Sequence, residues 1–262
     1  MIEIRNLKKY YVSGIFKKTV TKAVNGVDLS IPKGMVYGLT GESGCGKTTL
    51  AMSVLRLIEP TSGSITINGR DFRKLKGWEL RRLRPKYQII WQNPEASLNP
   101  RMKLKDAIME PLRYFKKCGR DRQKDILEKY CKMVELPTEL LNRYPHEISG
   151  GESQRAVIAR ILTMEPELLI ADEPTSSLDI LVQAQILGLL KTIQEQLNIS
   201  LIYISHDLQV VRYMCDRVAV MFEGKIIEEG TCEDVLRAPK KRYSRELVEN
   251  TFGEWGSQND VP

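Results

Sequence analysis

The stretch "MVYGLTGESGCGKTTLAMSVLRLIE", residues 35–59, decides the fold. Its first six residues form a short apolar run suited to a buried strand, and residues 48–59 carry apolar side chains at helical spacing until Pro60 stops them. Between the two lie Gly41, Glu42, Ser43, Gly44, Cys45, Gly46, Lys47, Thr48 and Thr49, in the order G-x-x-x-x-G-K-T. Glycines at this spacing let successive backbone N–H groups converge on phosphate oxygens, and the helix start adds a partial positive charge. Lys47 brings a point charge to the β- and γ-phosphates of a nucleotide, and the Thr48 hydroxyl is a hard-oxygen ligand for Mg²⁺. A strand, a phosphate loop and a helix in sequence predict an α/β protein that binds a nucleotide. The loop alone does not name the reaction, because many enzyme classes use it.

Outward from this loop, strand-like and helix-like segments alternate, as expected of a mainly parallel sheet flanked by helices. "KYQIIW" (86–91), "ELLIADE" (167–173), "SLIYIS" (200–205) and "RVAVMF" (217–222) are short apolar runs, the last three suited to strands buried on both faces. "SGSITINGRDF" (62–72) alternates around Asn68-Gly69, a hairpin signal, and with "MIEIRNL" at the start it predicts a small antiparallel sheet beside the core. From about 101 to 143 the chain turns helical and basic, which predicts an inserted helical subdomain. The expected organisation is a nucleotide-binding core with an antiparallel β subdomain from 1–92 and 160–252, a helical subdomain from 93–159, and a loose tail from 253–262.

The 262 residues, 42% of them hydrophobic, suffice for a substantial core. No run of 18 uncharged apolar residues and no signal-peptide core is found, so the chain is expected neither to span a membrane nor to be secreted. Cys45, Cys118, Cys131, Cys215 and Cys232 are scattered and odd in number, which predicts reduced thiols rather than disulfides or a metal cluster. The net charge of +7 gathers in runs such as "RKLKGWELRRLRPK" (73–86) and "RAPKKRYSR" (237–245). Such runs are mostly solvated faces, with lipid headgroups as a sharper reading. Aromatic residues make up 7% and are not interleaved with basic ones as in an RNA-binding sheet, so no nucleic-acid partner is expected.

Asp172 and Glu173 close the apolar run "LLIADE", at the strand end where open α/β sheets bind ligands. A carboxylate there can hold Mg²⁺, which assigns Asp172 to the metal, and Glu173 can take a proton from the water attacking a γ-phosphate. Gln92 ends "QIIW" and His206 follows "LIYIS", so both are expected at the same sheet edge. The amide can coordinate Mg²⁺ or orient water, and the imidazole can reach a γ-phosphate oxygen. Taken singly, His206 reads as a capping or core residue; the constellation makes it a catalytic one. A second glycine pair stands in "HEISGGESQR" (146–155), where Ser149 can cap a helix beginning near Gly150 and expose the N–H groups of Gly150 and Gly151.

Together, Gly41 to Thr48, Gln92, Ser149-Gly150-Gly151-Glu152, Asp172-Glu173, Ser177-Leu178-Asp179 and His206 resemble, in order and spacing, the ATPase subunits of ATP-binding cassette (ABC) transporters. "ISGGES" is similar to that family's signature, although Ile148 stands for the usual leucine, Glu152 for the usual glutamine and Ser177 for the commoner alanine. The resemblance implies a phosphate-loop NTPase fold with ATP and Mg²⁺ as ligands. It implies Glu173 as catalytic base, His206 as γ-phosphate sensor, Gln92 as the link from Mg²⁺ to the helical subdomain, and Asp179 in a loop that meets the opposite subunit. Tyr11 matches the residue that stacks on adenine, with the adjacent Tyr10 as its rival. In this family two cassettes pair head to tail, so Ser149, Gly150, Gly151 and Glu152 are expected to complete the partner's nucleotide site.

"WQNPEASLNPRM" (91–102), "SSLDILVQAQIL" (176–187) and "APKKRYSRELVENTF" (238–252) resemble the branch that powers peptide and nickel importers, and within it the second cassette of a pair. Many peptide-importing members have a longer, cysteine-bearing C-terminal extension. The end at residue 262 leans the expected cargo towards nickel or a metal chelate, with peptides beside it. The implied partners are a second cassette, two transmembrane permease subunits and, indirectly, an extracytoplasmic substrate-binding protein, with the chain peripheral on the cytoplasmic face of the inner membrane. The rival reading is a soluble cassette ATPase serving iron–sulfur assembly or a carbon–phosphorus lyase. DNA-repair ATPases with a similar signature require a long coiled coil for which the interval from Gln92 to Ser149 has no room.

Overall fold

The structure, a computed structural model, describes residues 2–14, 18–115 and 119–253. Cys118 and the tail from 254, expected to be a reduced thiol and a loose end, lie outside the described residues. The chain divides into two compact units, Met1–Lys76 with Ile202–Pro262, and Gly77–Leu201.

The first unit opens with β1 (Ile2–Ser13) and β2 (Thr19–Ile31), paired antiparallel. After β3 (Val36–Thr40) and helix α1 (Lys47–Val54), β4 (Ser62–Ile67) and β5 (Arg70–Asp71) complete a four-stranded antiparallel sheet in the order β2-β1-β4-β5. This is the antiparallel sheet that the sequence predicts. Asn68 and Gly69 both take positive φ, 50° and 77°, as the expected two-residue hairpin turn requires. The strand β2 has no counterpart in the sequence reading. Helix α1 is shorter than its apolar periodicity suggests. Arg56 turns left-handed, with φ at 52°, and its guanidinium donates to the Phe72 and Leu75 carbonyls at 2.8 and 2.7 Å. Leu57 N–H donates to the Met52 carbonyl at 2.8 Å and Arg56 N–H to that of Ser53 at 3.0 Å, so a local turn around Arg56 closes the helix before Pro60.

The second unit contains α2 (Gly77–Leu83), β6 (Tyr87–Ile90), α3 (Leu104–Phe115), α4 (Arg120–Met133), α5 (Gly150–Leu162), β7 (Leu168–Asp172) and α6 (Ile180–Leu197). Strands β6 and β7 pair parallel, from Tyr87 against Leu168 to Ile90 against Ala171. Every residue of β7 is buried, in keeping with an apolar run covered on both faces. Helices α3 and α4 fall within the basic stretch expected to be helical.

Strand β8 (Ser200–Ile204), again wholly buried, runs across the boundary and returns the chain to the first unit. There α7 (Leu208–Met214), β9 (Arg217–Phe222), β10 (Lys225–Thr231), α8 (Cys232–Arg237) and α9 (Arg242–Phe252) follow. β9 runs parallel to β3 and antiparallel to β10. The parallel pairs β3–β9 and β6–β7, the antiparallel sheet and the helices of the second unit match the expected fold class. Among the described residues no helix is long and apolar enough to cross a membrane.

Candidate functional site

In the first unit the phosphate loop springs from the buried end of β3 and feeds directly into α1. Its glycines are there for space as well as conformation. A Cβ on Gly41, at φ 143°, would stand 2.2 Å from the Met221 carbonyl oxygen, and one on Gly46, at φ 111°, would stand 2.0 Å from that of Ala23. The turn after β9 braces the loop from the same side, where Gly224 N–H donates to the Cys45 carbonyl at 2.9 Å.

Lys47 is 6% exposed, and its ammonium donates to the Gly41 and Glu42 carbonyls at 2.7 and 2.9 Å. The loop therefore satisfies its own cation with backbone oxygens, the interaction that phosphate oxygens would replace. Burial raises the Cys45 thiol above its ordinary range, against the pull of the nearby Lys47 charge. Thr48 is exposed at the start of α1 and Thr49 half-buried behind it.

His206 follows β8 on the exposed surface of the first unit, and Ser205 N–H donates to the Leu39 carbonyl at 3.3 Å. That bond holds the end of β8 against the strand that leads into the phosphate loop. The cap of α7 is Asp207, whose carboxylate accepts from Gln209 N–H at 2.8 Å. His206 is thus neither the capping nor the core residue that it suggests when read singly.

The two adjacent tyrosines differ. Tyr10 donates its hydroxyl to Asn25 Oδ1 at 2.7 Å, whereas Tyr11 is 43% exposed with the Lys9 ammonium 5.0 Å from its ring centre. A cavity of about 580 Å³ opens beside the loop, lined among others by Thr21, Ala23, Gly44, Cys45 and Phe222. Thr21 is the register partner of Tyr11 across β1 and β2.

In the second unit Asp172 ends β7 at 6% exposure, and Glu173 follows in the left-handed region, with φ at 48°. The turn is closed by Ser176, whose N–H and hydroxyl donate to the Glu173 carbonyl at 3.3 and 3.1 Å. Gln92 stands exposed two residues beyond β6. Since β6 and β7 are parallel neighbours, Gln92 and the acid pair leave at the same end of that strand pair.

Ser149 caps α5 as the sequence suggests. Its hydroxyl oxygen accepts from Glu152 N–H at 3.3 Å, and the Glu152 carboxylate accepts from Ser149 N–H and Oγ–H, both at 2.8 Å. The glutamate in place of the family's glutamine therefore completes a capping box. The glycines also serve packing. A Cβ on Gly151 would lie 2.6 Å from Val182 Cγ1, and one on Gly150 would lie 3.2 Å from Leu178 Cδ2. Asp179 caps α6, accepting from Val182 N–H at 3.0 Å, and Ile180 and Leu181 after it are 86% and 71% exposed. The packing partner Val182 carries no signal in the sequence reading. Nor does Tyr243 of α9, whose hydroxyl oxygen accepts from the Glu42 N–H of the phosphate loop at 3.0 Å.

The family model described as ABC transporter matches residues 24–176. A putative peptide import ATP-binding protein of Brucella ovis is 44% identical over 248 residues, which span 95% of this chain and 77% of the relative. The dipeptide transport ATP-binding protein DppF of Lactococcus lactis subsp. cremoris is 44% identical over 252 residues, 95% of this chain and 80% of that one. A solved dimeric ATP-binding cassette, in a post-hydrolysis state with ADP and Pi, aligns with a TM-score of 0.79 at 27% identity, covering 88% of this chain and 99% of the other. The chain belongs to the ABC transporter family, as an ATP-hydrolysing cassette subunit.

Proposed function

We propose that this chain powers the uptake of peptides through a membrane permease, hydrolysing Mg-ATP as one half of a cassette pair. The observation that carries the cargo class is the 44% identity, over 95% of the chain, to relatives named for peptide and dipeptide transport. The relatives compared above carry no name that supports a lean towards nickel. Pairing is favoured by α5, whose capped N-terminus offers N–H donors suited to a phosphate, and by the exposed Ile180 and Leu181 beside Asp179. A dimeric solved relative points the same way.

In this reading Lys47 and the loop N–H groups hold the phosphates of the chain's own ATP, and Tyr11 stacks on its adenine. Ser149, Gly150, Gly151 and Glu152 present the α5 N-terminus to the partner's γ-phosphate. Glu173 takes the proton of the attacking water, and His206 donates to a γ-phosphate oxygen as charge gathers there. The Thr48 hydroxyl, the Gln92 amide and the Asp172 carboxylate are hard oxygen donors of the kind Mg²⁺ prefers. Mg²⁺, when held there, would neutralise charge on the phosphates. Helices of the inserted subdomain, residues about 93–145, dock on a cytoplasmic permease loop, with the exposed Tyr114 and Phe115 at the end of α3 as contact points. The chain thereby sits peripherally on the cytoplasmic face of the inner membrane.

The test is uptake of radiolabelled peptides and nickel in a strain lacking this gene, together with co-purification of the tagged chain. Loss of peptide uptake and recovery of two membrane subunits are expected. Peptide uptake at the wild-type level, with only soluble partners recovered, would reject the reading.

A further inference from the structure

Helix α9 is moored to the first unit at its start. Lys240 and Lys241 donate their backbone N–H groups to the Glu228 carboxylate at 2.7 and 3.1 Å, and Ser244 and Val248 are buried at 1% and 6% exposure. Its second residue, Tyr243, lays its ring on Phe222, with centroids 4.3 Å apart. Phe222 ends β9, just before the turn whose Gly224 braces the phosphate loop.

One peptide group joins Gly41 to Glu42, and it is gripped at both ends. Its carbonyl oxygen accepts from the Lys47 ammonium at 2.7 Å, and its N–H donates to the Tyr243 hydroxyl oxygen at 3.0 Å. The two bonds polarise the peptide in the same sense, each strengthening the other. When Lys47 turns to a nucleotide phosphate, the inner bond is given up. The Tyr243 bond is then the one that holds this peptide plane.

We propose that Tyr243 is a positioning residue for ATP, through which the C-terminal helix α9 fixes the entry of the phosphate loop in the shape that receives phosphate. The inference rests on the reading of residues 41–49 as the ATP site. Tyr243 touches backbone and not the reacting atoms, so its loss acts on binding rather than on the chemical step.

The test is Tyr243→Phe in the full chain, which removes the oxygen and keeps the ring on Phe222. The Kd and KM for Mg-ATP are expected to rise about two- to tenfold, the worth of one hydrogen bond, with kcat unchanged. Hydrogen exchange at residues 41–43 is expected to quicken both without ATP and at saturating ATP, where the Tyr243 bond alone holds this peptide in the wild type. A merely structural role would instead lower the thermal midpoint and kcat together. Wild-type KM and wild-type exchange in Tyr243→Phe would overturn the role of Tyr243 while leaving the ATP site standing. A wild-type chain that binds no Mg-ATP would overturn the site and the inference together.

Discussion

Gly151→Ala is the most informative single substitution in the second unit. The new Cβ would stand 2.6 Å from Val182 Cγ1. Carbon atoms rest at about 3.5–4.0 Å, so about 1 Å must be found. Val182 lies in the first turn of α6, where a β-branched side chain has one strongly preferred rotamer and cannot swing its methyl aside. The α5 start and the Asp179 turn must therefore move apart, at an overpacking cost of about 1–3 kcal/mol. Both caps lie in the displaced region, Ser149 with Glu152 on one side and Asp179 with Val182 on the other. A misplacement of 1 Å in a positioning group can cost about 100-fold in rate. Steady-state hydrolysis by the paired cassettes should fall by about that factor. ATP affinity, measured by calorimetry, should stay at the wild-type value, since the phosphate loop belongs to the first unit. Removing the obstructing methyls in Gly151→Ala/Val182→Ala should restore most of the turnover. A double variant as slow as the single one, or a single variant with full turnover, would refute the packing account.

Lys47→Ala removes the ammonium from its two carbonyls and should abolish ATP binding, with no heat released in a calorimetric titration. Asp179→Ala deletes the α6 cap and should cost about 1 kcal/mol, seen as a thermal midpoint lower by about 2–4 °C. Burial works against ionisation of Glu228, yet the N–H groups of Lys240 and Lys241 hold its carboxyl below the ordinary glutamate range. With the folded pKa depressed, its contribution is present above the ordinary range and is lost as pH falls through the folded value. The midpoint difference between wild type and Glu228→Gln should therefore be clear at neutral pH and vanish in acid. A difference that persists in acid would show that the mooring of α9 does not depend on this charge.

Much of this was readable because the signals are local. A strand, a glycine loop and a helix adjoin in residues 35–59, Asn68-Gly69 forces its own turn, and Ser149 and Glu152 cap across three residues. What escaped depends on partners far along the chain. Arg56, in the left-handed turn that closes α1, is held by carbonyls 16 and 19 residues away, and no periodicity reports that. Strand β2 alternates cleanly only over Val27–Ile31, and before that register shifts against β1 break the pattern. Tyr243 reaches the phosphate loop across 201 residues, and in sequence it is one aromatic within a basic run. Gly151 reads in sequence as a glycine in a loop that offers N–H groups. That it also admits Val182 is visible only in three dimensions.

The central claim is that α5 of one cassette completes the ATP site of another. It is tested most directly by sedimentation of the Glu173→Gln chain, alone and with whichever cassette co-purifies with it. If Glu173 is the base proposed above, its loss should leave ATP bound and the pair closed. The expected result is a species of twice the 30.0 kDa subunit mass, or the sum of the two cassettes, that forms only with ATP and fails to form when Lys47→Ala is added. A chain that binds ATP at saturation yet sediments as a single cassette in both preparations would contradict the claim.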